Sequence, residues 1–439
     1  MIVMKFGGSS VGNAERIKNV ANIVKSFLDK KPVVVVSAVA KITDALIKLA
    51  KECAEGKGNE TFEIIKSTHY EILQQLDMDK SLLTEDIDEL SGLVREIQSS
   101  KQLNNKISCR FQSFGERMSS KIVSMQLNKI NAKAQAFNSW QLGFITDSEF
   151  GGAEPLDETY NNLKININKL NIVPVITGFI GKTDSGEITT LGRGGSDYTA
   201  AIVGAAIEAE EIQIWTDVDG IMSTDPKIVK NAKTILKVSF AEASELAYFG
   251  AKVLHPKTML PAMRKNIPVK VLNSFNPSSK GTTILNKADE SKDIVKAIAC
   301  KNNVTVIHID SKRMLGAYGF LARLFEIFDA HKKIVDVVAT SEVSVSITVD
   351  DDDGLEDFAS ELKEVADVSV ENNKSIICVV GEGIKYTPGI AGRTFAALGN
   401  KNINIEMISS GASKINITFV VNAGDAEEAV KTLHQEFFG

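Results

Sequence analysis

The chain opens with Ile2-Val3-Met4-Lys5-Phe6-Gly7-Gly8-Ser9-Ser10-Val11-Gly12-Asn13: an apolar run, a lysine, a glycine pair, two hydroxyl residues, then an amphipathic pattern starting near Asn13. Strand, glycine turn and helix in that order form the unit from which parallel α/β sheets are built. Glycine has no Cβ and tolerates positive φ, so Gly7 and Gly8 can present several N–H groups to one anion. The following helix turns the positive end of its dipole toward the same place. Lys5 adds a full charge and Ser9 a hydroxyl. A phosphate cradle and an ordinary tight turn both fit these residues.

Outward from this stretch, β-rich runs (31–38, 134–137, 172–180, 211–215, 268–273) alternate with helical ones (13–29, 45–55, 111–128, 197–209, 240–249). That alternation predicts an α/β sandwich with a mainly parallel sheet. Residues 61–106 read as a polar helical excursion. Beyond Asn286 the texture changes to two βαββα units of about 60–75 residues, a repeat that matches a ferredoxin-like plan. The second unit lacks a closing strand after Phe438, and residues 294–301 can supply it. The expected division is 1–286, then a unit 303–372 inserted in a second unit made of 294–302 and 373–439.

At 439 residues the chain has room for two or three domains. A net charge of −6 argues against a general nucleic-acid binder, and no apolar run is long enough to span a bilayer. Cys53, Cys109, Cys300 and Cys378 show no paired spacing, so neither a disulfide framework nor a metal site is expected. No export signal is read at the N-terminus, and a cytoplasmic location is expected.

No Walker-type loop is present, because Gly178-Phe179-Ile180-Gly181-Lys182-Thr183 has two residues between its glycines where that loop needs four. Thr189–Tyr198 (TTLGRGGSDY) is more informative. Arg193 can grip a carboxylate bidentately, Gly194 and Gly195 admit a ligand to the backbone, and Ser196 or Asp197 can cap a helix. Glu116, within FGERMS, suits either a surface salt bridge or a ligand ammonium. Ser37, Thr43 and Asp44 follow a strand, where open α/β sheets bind ligands. Thr216-Asp217-Val218-Asp219-Gly220 and Asp225-Pro226-Lys227 offer polar contacts to a ribose, base or metal, or plain turn chemistry. In FGAKVLHP, Lys252 is the better phosphate candidate and His255 the more structural residue.

KFGGSS, SFGERMS, GFIG, TTLGRGGSDYTAA, WTDVDGI, DP and FGAKVLHP occur in the order found in aspartate kinases of the amino-acid kinase family. The chain resembles that family from Met1 to about Ile284, and the tandem units resemble paired ACT regulatory domains. The resemblance implies a three-layer αβα sandwich followed by two βαββαβ ACT units. It implies transfer of the γ-phosphoryl of ATP to the side chain of L-aspartate, with Mg²⁺ bridging the phosphates and no dedicated protein ligands.

By position it implies that Lys5, Asp197 and Lys252 are catalytic, Asp197 orienting the lysine, and that Lys5, Gly7, Gly8 and Ser9 hold phosphate. Thr43, Glu116, Phe179, Arg193, Gly194, Gly195 and Ser196 would surround aspartate. Thr216, Asp217, Met222, Lys227 and Lys252 would contact ATP. Met222 stands where the family often has tyrosine, and Ser9 where it more usually has threonine.

Met314–Phe320, Val335-Asp336 and Thr340–Val345 are similar to the effector site of lysine-inhibited members. The effector set is Met314, Ala317, Phe320, Leu321, Asp336, Ser341 and Glu342. Two acidic side chains favour L-lysine over threonine, the alternative. Edge strands and apolar helix faces predict a homodimer through the ACT units, with a tetramer left open. No further module follows the second unit, so a monofunctional enzyme of the lysine-sensitive class is expected. A non-catalytic amino-acid sensor and a different carboxylate kinase are the competing readings.

Overall fold

Val33, Val34, Val35 and Val36 are all buried, as are Ile2, Val3, Met4 and Phe6. Strands without polar alternation belong inside a parallel sheet covered on both faces, and that is where these two lie. The structure is a computed structural model of the chain that describes residues 1–250, 254–287, 294–311, 318–350, 354–410 and 413–439. Its contacts group into two bodies.

The first body carries β1 (Ile2–Phe6), β2 (Pro32–Val36), β3 (Ala134–Phe137), β4 (Val173–Thr177), β5 (Ile180–Lys182), β6 (Ile188–Thr190), β7 (Ile212–Thr216), β8 (Lys237–Ser239), β9 (Val269–Asn273) and β10 (Thr282–Leu285). Eight of them form one sheet in the order β3-β4-β2-β1-β7-β9-β10-β8, with β5 and β6 paired separately. All neighbours in the large sheet are parallel except β9 and β10. Its helices are α1 (Ala14–Lys25), α2 (Ile42–Ala54), α3 (Asn59–Gln75), α4 (Thr84–Ser100), α5 (Asn105–Lys129), α6 (Glu158–Asn168), α7 (Gly195–Ala206) and α9 (Pro256–Arg264), whereas α8 (Phe240–Tyr248) belongs, after its first residue, to the second body.

Helices α1 to α5 share one apolar core with Ile2, Met4, Phe6, Val34 and Val36. Helix α7 packs on β1, β2 and β7 and is flanked by α6 and α9. The polar-looking excursion 61–106 is helical, and it buries Ile65, Leu73, Leu83, Leu90, Leu93 and Ile97 in that same core. Its apolar residues recur at helical spacing, so a composition average hides a one-sided core face.

The second body contains β11 (Ala297–Asp310), α10 (Phe320–Ala330), β12 (Val335–Thr340), β13 (Ser344–Val349), α11 (Leu355–Val365), β14 (Asp367–Val380), α12 (Ile390–Gly399), β15 (Met407–Ser410), β16 (Asn416–Asn422) and α13 (Ala426–Phe438). Its six strands run β12-β13-β11-β14-β16-β15. Strands β11 and β14 are long and run through both units. Ala297–Asn302 pairs with Ser375–Val380, and Val306–Asp310 pairs with Asp367–Glu371. Each long strand is broken by an Asn-Asn pair whose second member, Asn303 or Asn373, has φ of 59°. Asn tolerates that left-handed conformation. Around the two breaks the bonds repeat: Ser375 Oγ donates to Asn302 Oδ1 at 2.8 Å and Thr305 Oγ1 to Asn372 Oδ1 at 2.9 Å. The repeat seen in sequence is therefore an internal two-fold in space.

This body also includes 222–235 and 241–252, which the single boundary near 286 assigned elsewhere. Val229 is buried in the core of the second unit, beside Val295 and Leu433. Interleaving of this kind leaves no composition signal, because each segment is locally ordinary α/β sequence. No described helix is long and apolar enough to cross a membrane.

One close approach positions the site described next. A Cβ on Gly115 would lie 2.6 Å from Ala38 Cβ, so only glycine lets α5 press against the turn after β2. Gly115→Val is expected to lower stability by about 1–3 kcal/mol, as overpacking does, read as an earlier denaturant midpoint for the amino-terminal body.

Candidate active site

The carboxyl ends of β1, β2 and β4 and the N-terminus of α7 enclose a cavity of about 300 Å³ lined by Lys5, Ser37, Thr43, Glu116, Phe179, Gly192, Arg193, Gly194, Gly195, Ser196 and Asp197. Parallel α/β sheets place ligands at this end of the strands. Of the residues expected from sequence to hold aspartate, Thr43, Glu116, Phe179 and Arg193 to Ser196 all line this one cavity.

Lys5 comes from the carboxyl end of β1, and its Nζ lies 2.6 Å from Asp197 Oδ1 in the first turn of α7. Both side chains are largely withdrawn from water. Asp197 thereby fixes the ammonium at a helix N-terminus, where an anion is favoured.

The glycine turn differs in detail from the sequence reading. Gly7 donates its N–H to Trp215 O at 3.1 Å, while Ser10 and Val11 donate to Gly7 O. Gly7 is thus not a free donor, and the N–H groups of Gly8 and Ser9 remain. Neither Gly7 nor Gly8 has positive φ. Gly8 is needed for space instead: a Cβ there would lie 2.9 Å from Ala38 O.

Glu116 is buried on α5, inside the apolar packing that Gly115 permits. Its Oε1 accepts from the Ala38 N–H at 3.1 Å, and Oε2 has no hydrogen-bond partner. Burial pushes this carboxyl up to about 8, against the smaller opposing effect of the Ala38 bond. The surface salt-bridge reading is therefore excluded. Glu116 lines the cavity, and once ionised its unpartnered buried oxygen can accept from a cationic donor.

Phe179 holds φ at 66°, an uncommon conformation for an aromatic residue, and its N–H donates to Thr199 Oγ1 at 3.0 Å. Arg193 is exposed and makes no ion pair among the described residues, so its fork is open to a ligand carboxylate. Cation, open carboxylate and guanidinium around one cavity suit a zwitterion carrying a second acidic group.

The remaining expected residues lie apart from this lining. Thr216 ends β7, with its hydroxyl 3.1 Å from the exposed Asp217 carboxylate. Met222 and Lys227 belong to the other body, where Thr234 Oγ1 lies 3.4 Å from Met222 Sδ and Lys227 is exposed. Lys252, Met314 and Ala317 lie outside the described residues. Among the effector set, Phe320 is buried, Leu321, Ser341 and Glu342 are exposed, and the Asp336 side chain is fully enclosed. Sequence reading missed the partners that enclose it, Tyr248, Lys301 and Asp350, which are scattered along the chain with no motif. No group of three His, Cys, Asp or Glu that could hold a metal occurs among the described residues.

A model of the amino acid kinase family matches residues 1–273, and an ACT domain model matches residues 377–437. Aspartokinase 1, chloroplastic, of Arabidopsis thaliana is 42% identical over 455 residues, covering 99% of this chain and 80% of its own. Lysine-sensitive aspartokinase 3 of Escherichia coli is 37% identical over 451 residues, covering 100% of this chain and 99% of its own. The crystal structure of E. coli aspartokinase III in complex with aspartate and ADP matches with a TM-score of 0.86 at 35% identity, covering 100% of both chains.

The Glu116 side-chain carboxyl is expected to titrate near pH 8 in the unliganded protein. Carbon-13 NMR of the glutamate carboxyls checks this, and the transition should be missing in Glu116→Gln.

Proposed function

Because the chain belongs to the amino acid kinase family, within its aspartokinase branch, we propose that it transfers the γ-phosphoryl of ATP to the side-chain carboxylate of L-aspartate. The products are 4-phospho-L-aspartate and ADP, the entry to lysine, threonine and methionine biosynthesis. The observation that carries this reading is the single cavity lined by Arg193, Glu116 and the Lys5–Asp197 pair. Arg193 receives a carboxylate of aspartate and Glu116 its ammonium, with Thr43, Phe179 and Gly194 to Ser196 closing around it.

The chemistry needs cations more than a base. An aspartate carboxylate is already ionised; one of its oxygens forms a bond to the γ-phosphorus as the bond to the β-phosphate oxygen breaks. The obstacle is bringing two anions together, which positioned cations and N–H donors overcome. Lys5 faces the transferring phosphoryl with Gly8 and Ser9, and Asp197 keeps the Lys5 ammonium in place. From the resemblance, Lys252 acts on the phosphates, and Thr216, Asp217, Met222 and Lys227 contact the nucleotide. Mg²⁺ enters with ATP as part of the substrate and neutralises phosphate charge. Phosphate oxygens and water can supply its coordination, so the lack of a carboxylate cage among the described residues is compatible with it.

Feedback inhibition by L-lysine through the ACT units is the second part of the reading, supported by the lysine-sensitive E. coli relative. Homodimerisation through the first unit is supported by the exposed apolar side chains Leu321, Phe325, Ile334 and Val343.

A coupled ADP-release assay with aspartate and ATP tests the reaction. Turnover with glutamate but not aspartate would replace it with a different carboxylate kinase. Lys5→Ala is expected to lower kcat by about 10²–10³-fold, as loss of one transition-state donor does; near-normal turnover would remove its role. An ammonium ligand requires ionised Glu116, so the KM for aspartate should fall as pH rises toward 8 and level off above it. The fall approaches about tenfold per pH unit at the acidic end. A flat profile would separate Glu116 from ammonium binding.

A further inference from the structure

Asp336, expected to receive the ammonium of an effector, already holds one in this structure. Lys301 Nζ lies 2.8 Å from Asp336 Oδ1 and 2.7 Å from Asp350 Oδ2. The same ammonium sits 4.6 Å from the centroid of the Tyr248 ring. Tyr248, the last residue of α8, donates its hydroxyl to Asp336 Oδ1. Two carboxylates and an aromatic face make a cage that selects a cationic amine.

The cage is closed. The Asp336 side chain has 0% exposure, and its Oδ2 is buried without a hydrogen-bond partner. Burial, reinforced by Asp350, raises the Asp336 carboxyl above its ordinary range even with Lys301 and Tyr248 opposing the shift. A ligand cannot reach this carboxylate from solvent while Lys301 and Tyr248 stay where they are.

We infer that Lys301 is a built-in competitor of the effector: L-lysine binds by displacing the Lys301 ammonium from Asp336 and releasing the Tyr248 hydroxyl. This rests on the reading of Asp336 as an effector residue. Helix α8 is the element that such a displacement disturbs. Glu242, Glu245 and Tyr248 recur at three-residue spacing on one face of it. Glu242 Oε1 accepts from the Glu382 N–H at 2.7 Å, and Glu245 Oε2 accepts from Asn416 Nδ2 at 2.7 Å. Tyr248 is the member of this row whose partner is the effector residue.

The internal repeat supplies a control. Glu406 occupies in the second unit the place of Asp336 in the first, and it too is held by a lysine: Lys374 Nζ lies 2.7 Å from Glu406 Oε1, 2.9 Å from Asn422 Oδ1 and 2.9 Å from Glu371 Oε2. A general loosening of the sheet should therefore follow from removing either lysine, whereas displacement by effector involves Lys301 alone.

The test is inhibition of the full-length enzyme by L-lysine, with calorimetric L-lysine binding beside it. Lys301→Met and Tyr248→Phe each remove one competitor for Asp336. Each should lower the half-inhibitory concentration and the dissociation constant together, by up to about tenfold, the scale of one hydrogen bond to a charged group. Lys374→Met should leave both unchanged. Tyr248→Phe loses a single oxygen and keeps the test decidable if Lys301→Met fails to fold. Unchanged or weakened inhibition in Tyr248→Phe and Lys301→Met overturns the displacement, as does an equal gain in Lys374→Met. Asp336→Asn separates the premise: undiminished lysine inhibition there refutes Asp336 as an effector residue, whatever the other variants do.

Discussion

The ion pair between Lys5 and Asp197, 2.6 Å long and largely dehydrated, joins the end of the central strand to the first turn of α7. Removing two charges from water is costly, and the cost is recovered only where geometry is held from outside the pair. Here β1 is hydrogen-bonded on both sides, to β2 and β7, and α7 lies across all three strands. The sheet therefore fixes one charge and the helix the other. The cavity is the space left between them.

That arrangement explains why Glu116 can be buried with half of its carboxylate unpartnered. It sits on α5, on the other side of β2 from α7, and reaches the cavity because Gly115 lets the helix approach Ala38. The Ala38 N–H holds one oxygen and leaves the other buried without a partner. Energetically this is an unfavourable resting state, visible as the rise of its carboxyl to about 8. A buried acid left half-partnered is a recurring property of binding sites, and the second body holds another buried acid, Asp336, whose place beside it is taken by the chain's own Lys301.

Much of the amino-terminal fold was legible in the chain. Apolar runs at Val33–Val36 and Ile2–Met4 read as strands and are covered ones, and the glycine turn marked the end of β1. The cavity lining was legible too, because KFGGSS, FGER and GRGGSD are local strings whose spacing survives in sequence. What was not legible is of another kind. The amide of Gly7 is taken by Trp215, far away in the chain, and no local reading distinguishes it from that of Gly8. The 61–106 excursion looked polar on average although one face of each helix is core. Segments 222–235 and 241–252 change bodies because Val229 is buried beside Val295 and Leu433, and α8 is hydrogen-bonded to Asp336, Glu382 and Asn416, all distant in the chain.

By itself the sequence determined the order of strands and helices, the parallel character of the first sheet, the repeat in the second, and which residue types gather at the turns. These follow from periodicity and from short-range constraints on the backbone, which neighbouring residues impose directly. Only the tertiary structure decided which of those residues are open and which are occupied. Arg193 is open, Glu116 is half open, and Asp336 is closed by Lys301 and Tyr248. Occupancy depends on contacts between groups tens or hundreds of residues apart, and on the desolvation that packing imposes.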